Sequence, residues 1–151
     1  MISMLASYLL ILVLGAPKSP PVRFVNPPGL AKSPRYSHVA DVTRGRLILI
    51  SGQVAQDANG NVVGVGDMAA QTRKVFENLN TALKAVGATY KDVVKLTSFI
   101  VDVSKNIETY REVRQEYLRG IAEPPTSTTV GVPALVRGEY LLEVEAIAVV
   151  P

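Results

Sequence analysis

Thr72, Val75, Phe76, Leu79, Leu83 and Val86 recur at i, i+3, i+4, i+7, i+11 and i+14. This is one apolar stripe on a 3.6-residue repeat, and it predicts a helix over residues 67–86. Asp67 suits its N-terminal end and Gly87 its stop. A helix that is apolar on one side only must bury that side against another layer.

The rest of the chain reads as mostly strands. Residues 36–42 alternate, with Tyr36, His38, Ala40 and Val42 on one face, and Arg44-Gly45 follows as a turn signal. Residues 46–50 then read as a buried strand, so the two segments are expected to form a β-hairpin feeding Ser51-Gly52-Gln53. Asn59-Gly60 is a tight-turn pair flanked by Val54 and Val62-Val63. Residues 23–26 fit a short edge strand, and residues 93–101, 127–132 and 140–149 fit longer ones. A second helix is expected over residues 107–118, ending near Gly120. The order β-β-β-α-β-α-β-β implies an α+β fold, a mixed sheet with two helices on one face. Its other face needs a cover, and a second copy of the chain is the economical one.

A chain of 151 residues is a prior for one domain, placed here at residues 23–151. Residues 1–22 differ: residues 5–14 are almost wholly apolar, and a proline-rich linker follows. Ten apolar residues are too few for a membrane span, which needs about 20. The run has the length of a signal-peptide core, but no Lys or Arg precedes it. The expectation is a cytoplasmic protein, with export through this apolar start as the alternative. Cysteine is absent and His38 is the only histidine. Thiol nucleophiles, Cys-ligated zinc and clustered His sites are thereby excluded, and no metal site is expected. The net charge of +3 comes from scattered basic residues, interleaved with Glu over residues 108–116 as on a solvated helix face. No patch for nucleic acid is evident.

Glu143 and Glu145 stand two apart on the last strand, so they share a face about 7 Å apart. A buried carboxylate there can hold or deprotonate a water, and exposed acids on an ordinary strand look the same. Gly52 ends a strand where backbone can approach a ligand, or it serves a bulge. Tyr36 can line a pocket or pack as an amphipathic ring. Gly64-Val65-Gly66-Asp67 lacks the Lys-Ser/Thr of a phosphate loop. Residues 126–129 are a hydroxyl run with no obvious base nearby.

Pro34 and Tyr36, Ile50-Ser51-Gly52-Gln53, Asn78-Leu79, Gly87, Asp92 through Phe99, Asp102, Pro125 and Glu143 through Ala148 occur in this order and spacing. Together they resemble the RidA (YjgF) family of reactive imine and enamine deaminases. The resemblance implies a chorismate-mutase-like fold, a homotrimer with clefts between subunits, and no cofactor. It implies hydrolysis of small imines to a 2-keto acid and ammonia, with Glu143 holding the attacking water and Gly52 and Tyr36 lining the cleft. Active members carry Pro-x-Arg at the start of the fifth strand, and the arginine clamps the substrate carboxylate. Here the run is Pro125-Thr126-Ser127, so Ser127 stands in the arginine's place. Ser127 and Thr128 would then hydrogen-bond the substrate's polar tail, and Arg137 is the nearest later cation that could replace the clamp. The expected function is imine hydrolysis with an altered substrate range. The alternative is a trimeric binding or interaction module without catalysis. A chorismate-mutase-like pericyclic reaction would need several cations around a dianion, a set not seen in this sequence.

Overall fold

The computed structural model describes residues 20–151; the apolar start of the chain lies outside the described residues. The apolar stripe becomes α1 (Met68–Ala85), capped by the Asp67 carboxylate, which accepts a hydrogen bond from Ala70 N at 3.0 Å. Val75, Phe76, Leu79 and Leu83 are fully buried. Gly87 follows with φ at 72°, a conformation glycine reaches without strain. The remaining elements are β1 (Val22–Val25), β2 (Val39–Val42), β3 (Arg46–Val54), β4 (Val93–Val101), α2 (Val103–Leu118), β5 (Thr126–Val132) and β6 (Leu142–Val150). The element order agrees with the sequence reading. Among the described residues no helix is long and apolar enough to cross a membrane.

Four strands form one mixed sheet in the order β3-β6-β4-β5, with β4 and β5 parallel and the other pairs antiparallel. Both helices pack on one side of it. Leu96, Ile100, Leu142, Val144 and Ala146 point toward them and join α1 in the core. The expected hairpin between residues 36–42 and 46–50 does not form. β2 pairs instead with β1 in a separate two-stranded sheet, in the register Val22 opposite Val42 and Val25 opposite Val39. Thr43 N donates to Pro21 O at 2.9 Å and extends that pairing. β3 is left to take its neighbour from the far end of the chain, β6.

Nor is residues 46–50 a strand buried on both faces. Ile48 faces the core, whereas Leu47 and Leu49 are 61 % and 72 % exposed on the sheet's other face. This helix-free face is called the open face below. One fully buried polar side chain secures the entry to β6. Gln71 donates to Gly64 O at 3.2 Å and Glu139 O at 2.7 Å, and its Oε1 accepts from Leu141 N at 2.8 Å.

Candidate functional site

β6 alternates, sending Leu142, Val144 and Ala146 into the core and Glu143 and Glu145 to the open face. Glu143 lies opposite Phe99 of β4 and Val54 of β3. On β3 the register slips: Ile50 faces Ala146, but Gln53 faces Val144. One extra residue on β3 is a β-bulge, and it bends Gly52 toward Glu143. A Cβ built on Gly52 would lie 1.8 Å from Glu143 Oε1 and 2.6 Å from its carboxyl carbon. The carboxylate therefore rests directly on the Gly52 backbone. With Glu143 in this rotamer there is no room for a Cβ at position 52; the backbone itself makes no such demand, since Gly52 is not among the positive-φ residues. Asn78 steadies the end of β3 by donating to Val54 O at 3.0 Å and Gln56 O at 2.9 Å.

Tyr36 and Ser127 meet elsewhere. Ser127 is in register with Leu96 and Thr129 with Ser98, and both partners point toward the helices. Ser127 and Thr129 therefore face α2. Ser37 donates from its N to Pro125 O at 3.3 Å and from its Oγ to Pro124 O at 2.7 Å. This tether seats Tyr36 beside β5. Together with Arg35, Tyr110, Arg111 and Arg114, these residues line a cavity of about 290 Å³.

Arg114 is the residue that sequence reasoning missed, because the charge alternation over residues 108–116 resembles a solvated face. It is only 5 % exposed. Its Nη1 donates to Arg35 O at 3.3 Å, while Nε and Nη2 are buried with no hydrogen-bond partner among the described residues. Burial pulls the guanidinium below its ordinary range; Tyr110 opposes this and the Arg35 charge adds to it. A signal was present: Arg114 stands four residues after Tyr110 and four before Leu118, both buried on α2. That spacing puts a cation on the inward stripe of the helix.

Thr128 is on the open face, where its Oγ1 accepts a hydrogen bond from Lys95 Nζ. Arg137 belongs to neither group. Its guanidinium donates to Gly60 O at 3.2 Å, pairs with Glu139 at 3.3 Å and lies 5.5 Å over the Tyr140 ring. His38 bonds Ala31 O through Nε2 at 2.8 Å and packs edge-on against Tyr36. Among the described residues no group of three or more His, Asp or Glu side chains is placed to hold a metal. Glu143 with Gly52, and Ser127 with Tyr36, thus occupy opposite faces of one sheet.

The sequence profile described as Endoribonuclease L-PSP matches residues 29–150. Protein DfrA of Myxococcus xanthus is 37 % identical over 114 residues, 76 % of this chain and 84 % of that protein. The 2-iminobutanoate/2-iminopropanoate deaminase of Mus musculus is 34 % identical over 76 % of this chain and 80 % of its own. Among solved structures, the Rid-family protein YyfB of Yersinia pestis, of unknown function, superposes with a TM-score of 0.80 at 36 % identity, covering 86 % of this chain and 99 % of that one. The matched span takes in every strand of the four-stranded sheet and both helices, so this chain belongs to the Endoribonuclease L-PSP family, the RidA (YjgF) family that its sequence resembles.

Proposed function

We propose that this protein is a cofactor-independent hydrolase of reactive imines and enamines, releasing a carbonyl compound and ammonia. The observation that carries the reading is the Glu143 carboxylate seated on the Gly52 backbone, half-buried beside Phe99. A carboxylate held this way accepts a hydrogen bond from a water and aims its lone pair at an electrophilic carbon. The water oxygen adds to the C=N carbon while one of its protons passes to Glu143. Return of that proton to the nitrogen gives a carbinolamine; its hydroxyl proton then passes through Glu143 to the amino nitrogen as the C–N bond breaks, and the products are C=O and ammonia. The deaminase name carried by the mouse relative agrees with this chemistry.

The working cleft is built between copies of a homotrimer. Glu143 and Gly52 come from the open face of one subunit, and Tyr36 and Ser127 from the β5 edge of another. The exposed Leu47 and Leu49 on the open face support this assembly. Ser127 stands where active relatives carry their carboxylate-binding arginine, so the range of substrates differs from theirs. Ribonuclease chemistry, named in the family description, is less well served: the sole histidine is committed to Ala31 O.

The test generates 2-iminobutanoate in solution from a threonine dehydratase and follows its disappearance. The protein is expected to accelerate the decay, and Glu143→Gln is expected to lower that rate by about 100-fold or more, the usual effect of losing a general base. No acceleration with any of several imines would leave a non-catalytic binding module as the reading.

A further inference from the structure

Ser127 offers a hydroxyl where a fixed positive charge is expected, and Arg137 is committed to Gly60, Glu139 and Tyr140. Yet the cavity at Ser127 is not short of charge. Arg35, Arg111 and Arg114 all line it, and among the described residues only Arg111 has a carboxylate partner, Glu108. Arg114 is the unusual member. Burying a guanidinium without a counter-charge is expensive, and one bond to the Arg35 carbonyl meets one of its five N–H groups. The two unpartnered nitrogens, Nε and Nη2, form one edge of the guanidinium with parallel N–H bonds. That edge matches the two oxygens of a carboxylate.

We infer that Arg114 is the carboxylate anchor of this protein: its buried Nε–Nη2 edge, on a side chain that lines one cavity with Tyr36 and Ser127, opens to bind the carboxylate of a small 2-oxo or 2-imino acid. The charge is delivered from α2 rather than from β5, and the small Ser127 side chain leaves room for the ligand between them. Arg35 at the cavity wall adds positive potential for the anion. The choice of acid rests on the imine-hydrolase reading; the anchor itself rests on the buried, unpartnered fork.

The test titrates the full-length protein with 2-oxobutanoate by calorimetry, with methyl 2-oxobutanoate and inorganic phosphate as comparisons. The expected result is saturable binding of 2-oxobutanoate and little of its neutral ester. Arg114→Gln should weaken that binding by about tenfold or more, which corresponds to about 1.4 kcal/mol. Arg114→Lys, a charge without a fork, should fall between the two. Without ligand, Arg114→Gln should melt no lower than the wild type, since it removes a buried unpaired charge. A lower unliganded Tm with unchanged affinity would mark a structural arginine and overturn the inference. So would equal binding by wild type and Arg114→Gln, no binding of 2-oxobutanoate at all, loss of binding in Arg137→Ala alone, or phosphate binding more tightly than the carboxylate. The ketone has no C–N bond to hydrolyse, so the titration reads binding without turnover. Arg114-dependent binding without imine hydrolysis would sink the catalytic reading and keep this one; hydrolysis with Arg114-independent binding would do the reverse.

Discussion

At the scale of single residues, Gly52 and Glu143 constrain each other. A methyl group at position 52 collides with the far end of a flexible side chain, not with backbone. The fold can therefore accept Gly52→Ala by turning Glu143 to another rotamer, at a cost of about 1 kcal/mol. The carboxylate cannot both move and keep its aim. Gly52→Ala is expected to lower imine turnover toward the level of Glu143→Gln, with its unfolding midpoint shifted only slightly. Paired rate and denaturation measurements check this; wild-type turnover in Gly52→Ala would show that the carboxylate's position is immaterial. The sequence named Glu143 through the family pattern, since two acids on a strand are weak evidence alone. It named Gly52 without its reason, because a bulge depends on the partner strand, and β6 lies about ninety residues away. Arg114 was hidden for a related reason. Local charge alternation describes a helix surface, whereas burial is decided by what packs on it, here Tyr36 and β5.

At the scale of elements, the fold is legible in the sequence where the signal is local and periodic. The stripe that ends at Val86 gave α1 to within two residues, and the β-branched run gave β4 at both ends. It is not legible where the choice of partner is non-local. The chain does bend at Arg44-Gly45, but β2 has two candidate neighbours and takes β1, leaving β3 to β6. The first turn of α2 was also missed. Val103, Ser104 and Asn106 are poor helix formers, and Asp102 precedes them in the left-handed conformation at φ 47° and ψ 53°. Its carbonyl still accepts from Lys105 N at 2.9 Å and Asn106 N at 3.1 Å, and its side chain makes no capping bond. Asp102→Gly removes the steric cost of this conformation, about 1–2 kcal/mol, and adds back part of it as unfolded-state entropy. The expected net effect in urea denaturation is a gain of up to about 1 kcal/mol, and Asp102→Val is expected to lose about 1–2 kcal/mol. A destabilised glycine variant would mean that the carboxylate has a role beyond backbone geometry.

At the scale of the whole molecule, the open face connects stability to function. Leu47 and Leu49 project from β3 into solvent in a single copy, with Phe99 and Ile147 half-buried on the same face. Covering each leucine is worth about 1.5–3 kcal/mol, enough in threefold repetition to hold an assembly together. In the proposed trimer the opposed placement of Glu143 and Ser127 gives assembly a second role, because one copy alone cannot offer both groups to one small substrate. The protein is therefore expected to be a trimer by light scattering. Leu49→Glu, which puts an unpaired charge into the contact, is expected to shift it toward monomer. Turnover should fall with the trimer fraction, although Glu143, Gly52 and Tyr36 are untouched, and should recover at high protein concentration. A monomeric variant with full activity would show that the chemistry is complete within one copy. A wild-type monomer would remove the shared cleft altogether, and with it the route by which a carboxylate on one sheet face and a cation beneath the other come to act on the same molecule.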